Sequence, residues 1–140
     1  MKATAVRLRL SPRAVEKAFL AALVHDIGKI SVPLDVLSKP APLSADEWMV
    51  MKLHPVVGAN IVQSADRLAG IAPIVHAHQE KFDGTGYPNG LRGEAIPIGA
   101  RILCVADAYE AMTEDRVYRS ALSPSEAARE IYTSCLLYTF

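Results

Sequence analysis

Cysteine is nearly absent from this chain: two residues in 140, Cys104 inside an apolar run and Cys135 near the end. That excludes a disulfide framework and argues against a closed thiolate zinc site, and it suits a reducing compartment. Net charge is absent as well. Fifteen Lys and Arg balance fifteen Asp and Glu, which removes the bulk electrostatic grip that a nucleic acid polymer requires, although a small anionic ligand needs only local basic residues. The N-terminus has no continuous apolar core of signal-peptide length, and the run Ala18 to Val24 stops at His25, so a cytoplasmic protein without membrane contact is expected. No segment alternates with period two and no repeat is visible, which leaves an all-α class.

What is present fits one modest domain: 140 residues, 51% of them hydrophobic, enough for a single core. Ser11-Pro12 opens a helix as N-cap and first helical residue, with Val15, Phe19, Leu20, Leu23 and Val24 at helical spacing. Residues 31–42 carry Pro33, Pro40 and Pro42 and read as a connector. Ser44-Ala45-Asp46-Glu47 is a capping box for a second helix through Leu53, and Pro55 begins a third with His54 as its cap. A fourth covers Ala72 to Glu80. Asp83 to Gly90 is turn chemistry at nearly every position, and its glycines lack the flanking strand and helix of a phosphate cradle. Pro97 opens a long helix through about Glu114 that offers Ile102, Val105, Ala106, Tyr109 and Met112 to the core. Ser123-Pro124-Ser125-Glu126 caps a last helix.

His25-Asp26-Ile27-Gly28-Lys29 ends the first of these helices. Neighbouring helical side chains point about 100° apart, so an adjacent imidazole and carboxylate converge on one ion only near a helix end, which Gly28 supplies. Further ligands of the same kind follow at His54, His76, His78, Gln79, Glu80, Asp83 and Asp107. Imidazole and carboxylate without thiolate favour Mn, Fe, Co or Zn in a catalytic role, and paired ions are a recurrent solution for attack on phosphate esters. His76 lies two residues from His78 and cannot face the same ion on a helix, so a surface or supporting role is expected. Glu80 either orients a ligand imidazole or caps the helix, with the first favoured. Trp48, Met49 and Met51 read as core or helix-interface residues.

With these motifs laid out, the chain resembles the HD-GYP family of HD metal-dependent phosphohydrolases. The resemblance runs from about Leu10 to Ile131 and rests on His25-Asp26-Ile27-Gly28-Lys29, His54-Pro55 with Gly58, His78-Gln79-Glu80 with Asp83-Gly84-Thr85-Gly86-Tyr87-Pro88, Val105-Ala106-Asp107 and Arg116-Val117-Tyr118-Arg119. It implies a helical HD-domain bundle, here truncated at both ends, that hydrolyses cyclic di-GMP to linear pGpG or GMP with two or three divalent metal ions. His25, Asp26, His54, His78 and Asp107 match metal-ligand positions, with Asp26 bridging. Gln79 stands where the family usually has a second His, and its carbonyl oxygen is a weaker donor. Lys29 matches a phosphate contact, and the mechanism places Asp26 and Lys29 at the reaction. Arg116 and Arg119 either supply positive charge to the substrate or compensate a helix end. Gly86, Tyr87 and Pro88 match the loop that names the family, which shapes the site or binds a partner such as a GGDEF-type diguanylate cyclase. An upstream receiver or sensory domain is the expected context, with little turnover from the segment alone. Two rivals are a degenerate sensor module, motivated by Gln79, and another HD-superfamily nucleotide phosphohydrolase. Residues 1–131 read as a partial domain and 132–140 as a tail, whose Ser134 to Thr139 resembles translated sequencing adapter.

Overall fold

The computed structural model describes residues 2–115 and 120–133 and is all-α, with no strand among the described residues. Eight α-helices follow in order: α1 Lys2–Arg7, α2 Pro12–Val24, α3 Leu34–Leu37, α4 Ala45–Met51, α5 His54–Gln63, α6 Ala72–His76, α7 Ile98–Thr113 and α8 Pro124–Thr133. Three short 3-10 turns, Ile27–Ser31, Ala69–Ile71 and Gly93–Ala95, connect them. The tail expected at 132–140 begins inside α8, and its residues from 134 onward lie outside the described set. Arg116 and Arg119 lie outside it too.

The helix starts follow their side chains. Ser11 accepts the Ala14 N–H at 3.3 Å with Pro12 at the first helical position. Ser44 and Glu47 form the full capping box of α4, Ser44 accepting the Glu47 N–H and the Glu47 carboxylate accepting the Ser44 N–H. Ser123 and Glu126 repeat the arrangement at α8. These bonds satisfy amides that the first turn of a helix leaves without partners.

Four boundaries differ from the sequence pattern. The connector holds a single helical turn, α3, and α1 adds a helix before Ser11. His54 is the first residue of α5 rather than its cap, and α6 ends at His76 instead of reaching Glu80. The core is also lined differently. On α2 the buried residues are Val15, Ala18 and Ala21, while Phe19 and Leu23 face outward. On α7 they are Gly99, Ala100, Ile102 and Leu103, and Tyr109 is exposed. Small side chains occupy the contacts because α2, α5, α6 and α7 share one core with Ala21, Ala59, Ala72, Ala77 and Ala100 in it. Alanine lets helix backbones approach closely, and Val62, Ile71, Ile74, Val75, Ile96 and Leu103 fill the remaining volume.

This packing sets the site. α5 lies against the Ile27–Ser31 turn and against α6, and α2 against α7, so the end of α2, the start of α5, the end of α6 and the middle of α7 meet at one place.

Candidate metal centre

Gly28 makes the first junction. A Cβ built there would lie 1.9 Å from the His54 carbonyl oxygen and 2.5 Å from the Gly58 nitrogen. Only glycine permits that approach, and through it the turn carrying Asp26 is pressed onto the first turn of α5, which carries His54. The sequence marks Gly28 as a helix end; its contact with α5 is the larger role.

Three imidazoles then converge in one way. His25 Nδ1 donates to the Ala22 carbonyl at 2.9 Å, His54 Nδ1 to Met51 at 2.8 Å and His78 Nδ1 to Val75 at 2.7 Å, in each case to the residue three positions earlier. A carbonyl only accepts, so each Nδ1 carries the proton and Nε2 is left as the ring's free ligating position. Those three Nε2 atoms surround Asp26: His25 lies 3.4 Å from Oδ2, His54 3.5 Å from Oδ1 and His78 3.9 Å from Oδ1. Nε2 of His54 and Nε2 of His78 stand 3.2 Å apart. Asp107 reaches the far side, its Oδ1 being 3.8 Å from His25 Nε2.

As it stands the arrangement is uncompensated. Two lone pairs facing each other at that distance repel, and the buried Asp26 Oδ1 has no hydrogen-bond partner. A divalent cation answers both, since it accepts from imidazole nitrogen and carboxylate oxygen alike. His25, Asp26 and His78 each offer a ligand atom within 4.8 Å of the others. The residues therefore fit a metal ion, and the fixed Nδ1 protons hold each ring in the tautomer a ligand needs.

Electrostatics agree. Burial pushes the His78 imidazole down to about 4, and burial lowers His54 as well, which keeps both neutral and able to ligate near pH 7. Burial by itself would raise the Asp26 carboxyl, but the hydrogen bond from Lys29 Nζ at 2.6 Å and the Lys29 charge hold it below the usual carboxylate range. Lys29 is thus paired with Asp26 Oδ2, at the lip of a groove of about 750 Å³ that it lines together with His54, Gln79, Tyr87 and Asp107. Gln79 accordingly sits beside the cluster, half-buried.

The loop after His78 is drawn inward. The Glu80 carboxylate, 2% exposed, does not orient an imidazole; it accepts the Asn89 N–H at 2.7 Å and the Leu91 N–H at 2.9 Å. Tyr87 N–H donates to the Gln79 carbonyl, and Gly86 lies so close to Glu80 Cα that a Cβ would come within 2.5 Å of it. The Tyr87 ring consequently packs edge-on to His54, and burial together with Asp26 and Asp107 pushes its hydroxyl up to about 12. Tyr87 is turned toward the site rather than outward. Asp83 forms the expected Asx turn with Thr85. His76, half-buried, closes α6.

Two outcomes follow from these contacts. In the presence of a chelator, stability should fall as pH drops from about 6.5 toward about 4, because the unfolded chain binds a proton at His78 there and the folded one does not; the loss is on the order of 3 kcal/mol. Denaturant midpoints across that range test this, with His78→Gln flattening the slope. Glu80→Ala should free the Asn89 and Leu91 amides, at a cost of roughly 2–3 kcal/mol; hydrogen exchange at those two amides should then accelerate selectively.

Comparison with known proteins places this geometry. A cyclic di-GMP phosphodiesterase of Vibrio cholerae is 42% identical over 125 residues, covering 84% of this chain and 25% of that protein. The cyclic di-GMP phosphodiesterase response regulator RpfG of Xanthomonas campestris is 42% identical over 130 residues, covering 91% and 34%. A 3'3'-cGAMP-specific phosphodiesterase of Vibrio cholerae is 39% identical over 113 residues, covering 79% and 22%. The chain thus spans about a quarter to a third of the length of such curated relatives. The solved structure of an HDG"Y"P protein from Bdellovibrio bacteriovorus superposes with a TM-score of 0.72 over 96% of this chain and 46% of that one, at 24% identity, and so shares the fold. Since the HD domain family model matches residues 1–134, which take in every helix that meets at Asp26, the chain belongs to the HD domain family.

Proposed function

We propose that this chain is the hydrolase domain of a metal-dependent phosphodiesterase that opens cyclic di-GMP to linear pGpG and then GMP. The observation that carries the reading is the three Nε2 atoms around Asp26, with His54 and Asp107 also lining a groove that has room for a small ligand. The names of the relatives supply the substrate class.

In this reading His25, His54, His78 and Asp26 hold the first divalent ion. Asp26 and Asp107 extend the donor set toward a second, with Gln79 offering its amide oxygen; Fe or Mn suits this mixture of imidazole and carboxylate, and Co or Zn would also be held. Bound metal supplies a Lewis acid for the phosphate and lowers the pKa of water at the site. The chain's own groups do the rest. Lys29 brings positive charge to the lip of the groove, where it neutralises a non-bridging phosphate oxygen. Tyr87, protonated throughout the physiological range, offers a hydrogen-bond donor beside His54. Water adds to phosphorus, the phosphorus–ribose oxygen bond breaks in line with it, and the departing oxygen takes up a proton.

The test is product chromatography of cyclic di-GMP incubated with the manganese-loaded or ferrous full-length parent, since little turnover is expected from the segment alone. Linear products that vanish on chelation support the reading. Metal-loaded protein that retains cyclic di-GMP without cleaving it would assign the domain to sensing instead, the alternative that Gln79 favours.

A further inference from the structure

The groove that takes in His54 and Asp107 is lined by more than the metal centre. Lys29, Lys39 and Trp48 of α4 share its lining with them. Sequence pattern assigns Trp48 to the core, yet its residue is 45% exposed. Helix α4 buries none of its residues. Core packing therefore does not explain why a half-exposed indole stands at this position.

The surroundings fix the helix that carries it. The capping box orders the first turn, and the Glu47 carboxylate of that box also pairs with Lys39 Nζ across the groove segment. Glu47 sits immediately before Trp48, so the indole is carried by a turn pinned at both sides. The lining joins two kinds of surface, Lys29 with His54 and Asp107, and the apolar Leu37, Pro40, Pro42 and Trp48. The first suits a phosphate and the second a flat apolar ring.

We propose that Trp48 is a stacking platform for one purine base of a cyclic dinucleotide whose scissile phosphate lies at the Asp26–Lys29 end. The proposal rests on the phosphodiesterase reading and deepens it. A cyclic dinucleotide carries its phosphates and bases in one molecule, so a phosphate held at Lys29 leaves a base to lie against another part of the same groove lining. Tyr87, the other aromatic residue lining it, is already set against His54. Stacking on an indole is tolerant of base identity because every base presents a π-face. Trp48 therefore adds affinity for guanine and adenine alike, and the choice between cyclic di-GMP and 3'3'-cGAMP is made elsewhere.

Trp48 is the single tryptophan of the chain, so its emission reports on this position alone. The zinc-loaded protein is titrated with cyclic di-GMP, and separately with inorganic phosphate, while binding heats are recorded in parallel. Cyclic di-GMP should quench the emission saturably and phosphate should not. Trp48→Ala should weaken cyclic di-GMP binding by roughly 5- to 150-fold, the range expected for loss of one base–aromatic stack, with zinc affinity unchanged, and Trp48→Phe should recover most of the loss. Binding heat with unaltered emission, together with wild-type affinity in Trp48→Ala, would overturn the platform and leave the phosphodiesterase reading standing. Absence of any binding heat for cyclic di-GMP would overturn that reading and the platform with it.

Discussion

In the full-length parent, Asp26→Ala is expected to strip the protein of metal and abolish hydrolysis of cyclic di-GMP while leaving the fold intact. Asp26 is the one residue that the His25, His54 and His78 nitrogens all face, and its Oδ1 is buried without a hydrogen-bond partner. Loss of supporting groups around a metal costs roughly 10–100-fold in affinity, and loss of a carboxylate ligand itself should exceed that. The fold survives because the side chain contributes little packing and is about two-fifths exposed; its partner Lys29 is similarly exposed and returns to water. Metal content after dialysis, product chromatography and a thermal melt on the same preparation make the test. An Asp26→Ala protein that keeps its metal and its turnover would remove the mechanism.

Gly28→Ala should damage both stability and metal binding, although the residue ligates nothing. The added methyl would meet the His54 carbonyl oxygen at 1.9 Å and the Gly58 nitrogen at 2.5 Å. Both are backbone atoms inside α5, so relief requires the turn and the helix to separate, and separation moves His54 away from Asp26. Overpacking of this severity costs on the order of 3 kcal/mol or more, a large share of the roughly 5–15 kcal/mol that holds a domain folded. Gly58→Ala is the control. Its Cβ would lie 3.2 Å from a Val75 methyl and 3.3 Å from the Gly28 nitrogen, a tight fit with a smaller penalty. Denaturant melts should rank wild type above Gly58→Ala and Gly58→Ala well above Gly28→Ala; equal midpoints for wild type and Gly28→Ala would show that the junction yields.

The legible parts of this molecule are those whose physics is local. Ser11, Ser44 and Ser123 each bond an amide three residues on, so their helix starts can be read from four letters. Asp83 and the glycines after it write their own turn. The ligand types at His25, Asp26, His54, His78 and Asp107 are visible as chemistry, and the resemblance orders them. What the residues alone hide depends on contacts distant in sequence. Gly28 reads as a helix end because its contact partner is 26 residues further on, at His54. Glu80 reads as a support for an imidazole, but each imidazole finds its own preceding carbonyl, leaving Glu80 for the amides of Asn89 and Leu91. Withdrawal of residues 77–80 into that network also shortens α6. The apolar periodicity of α2 points to Phe19 and Leu23, whereas close helix approach selects the alanines beside them. Trp48 is apolar by type and exposed by position, on a helix that buries none of its residues.

The central claim is that His25, His54 and His78 are metal ligands through Nε2, and histidine ring nitrogen NMR tests it most directly. The chain has four histidines, so His76 serves as an internal control. In metal-free protein near neutral pH all three site histidines should show protonated Nδ1, and His54 and His78 a bare Nε2. Stoichiometric Zn²⁺ should shift the Nε2 resonances of all three, keep their Nδ1 protons in place, and leave His76 unchanged. Site histidines that ignore Zn²⁺, or a response confined to His76, would contradict the assignment.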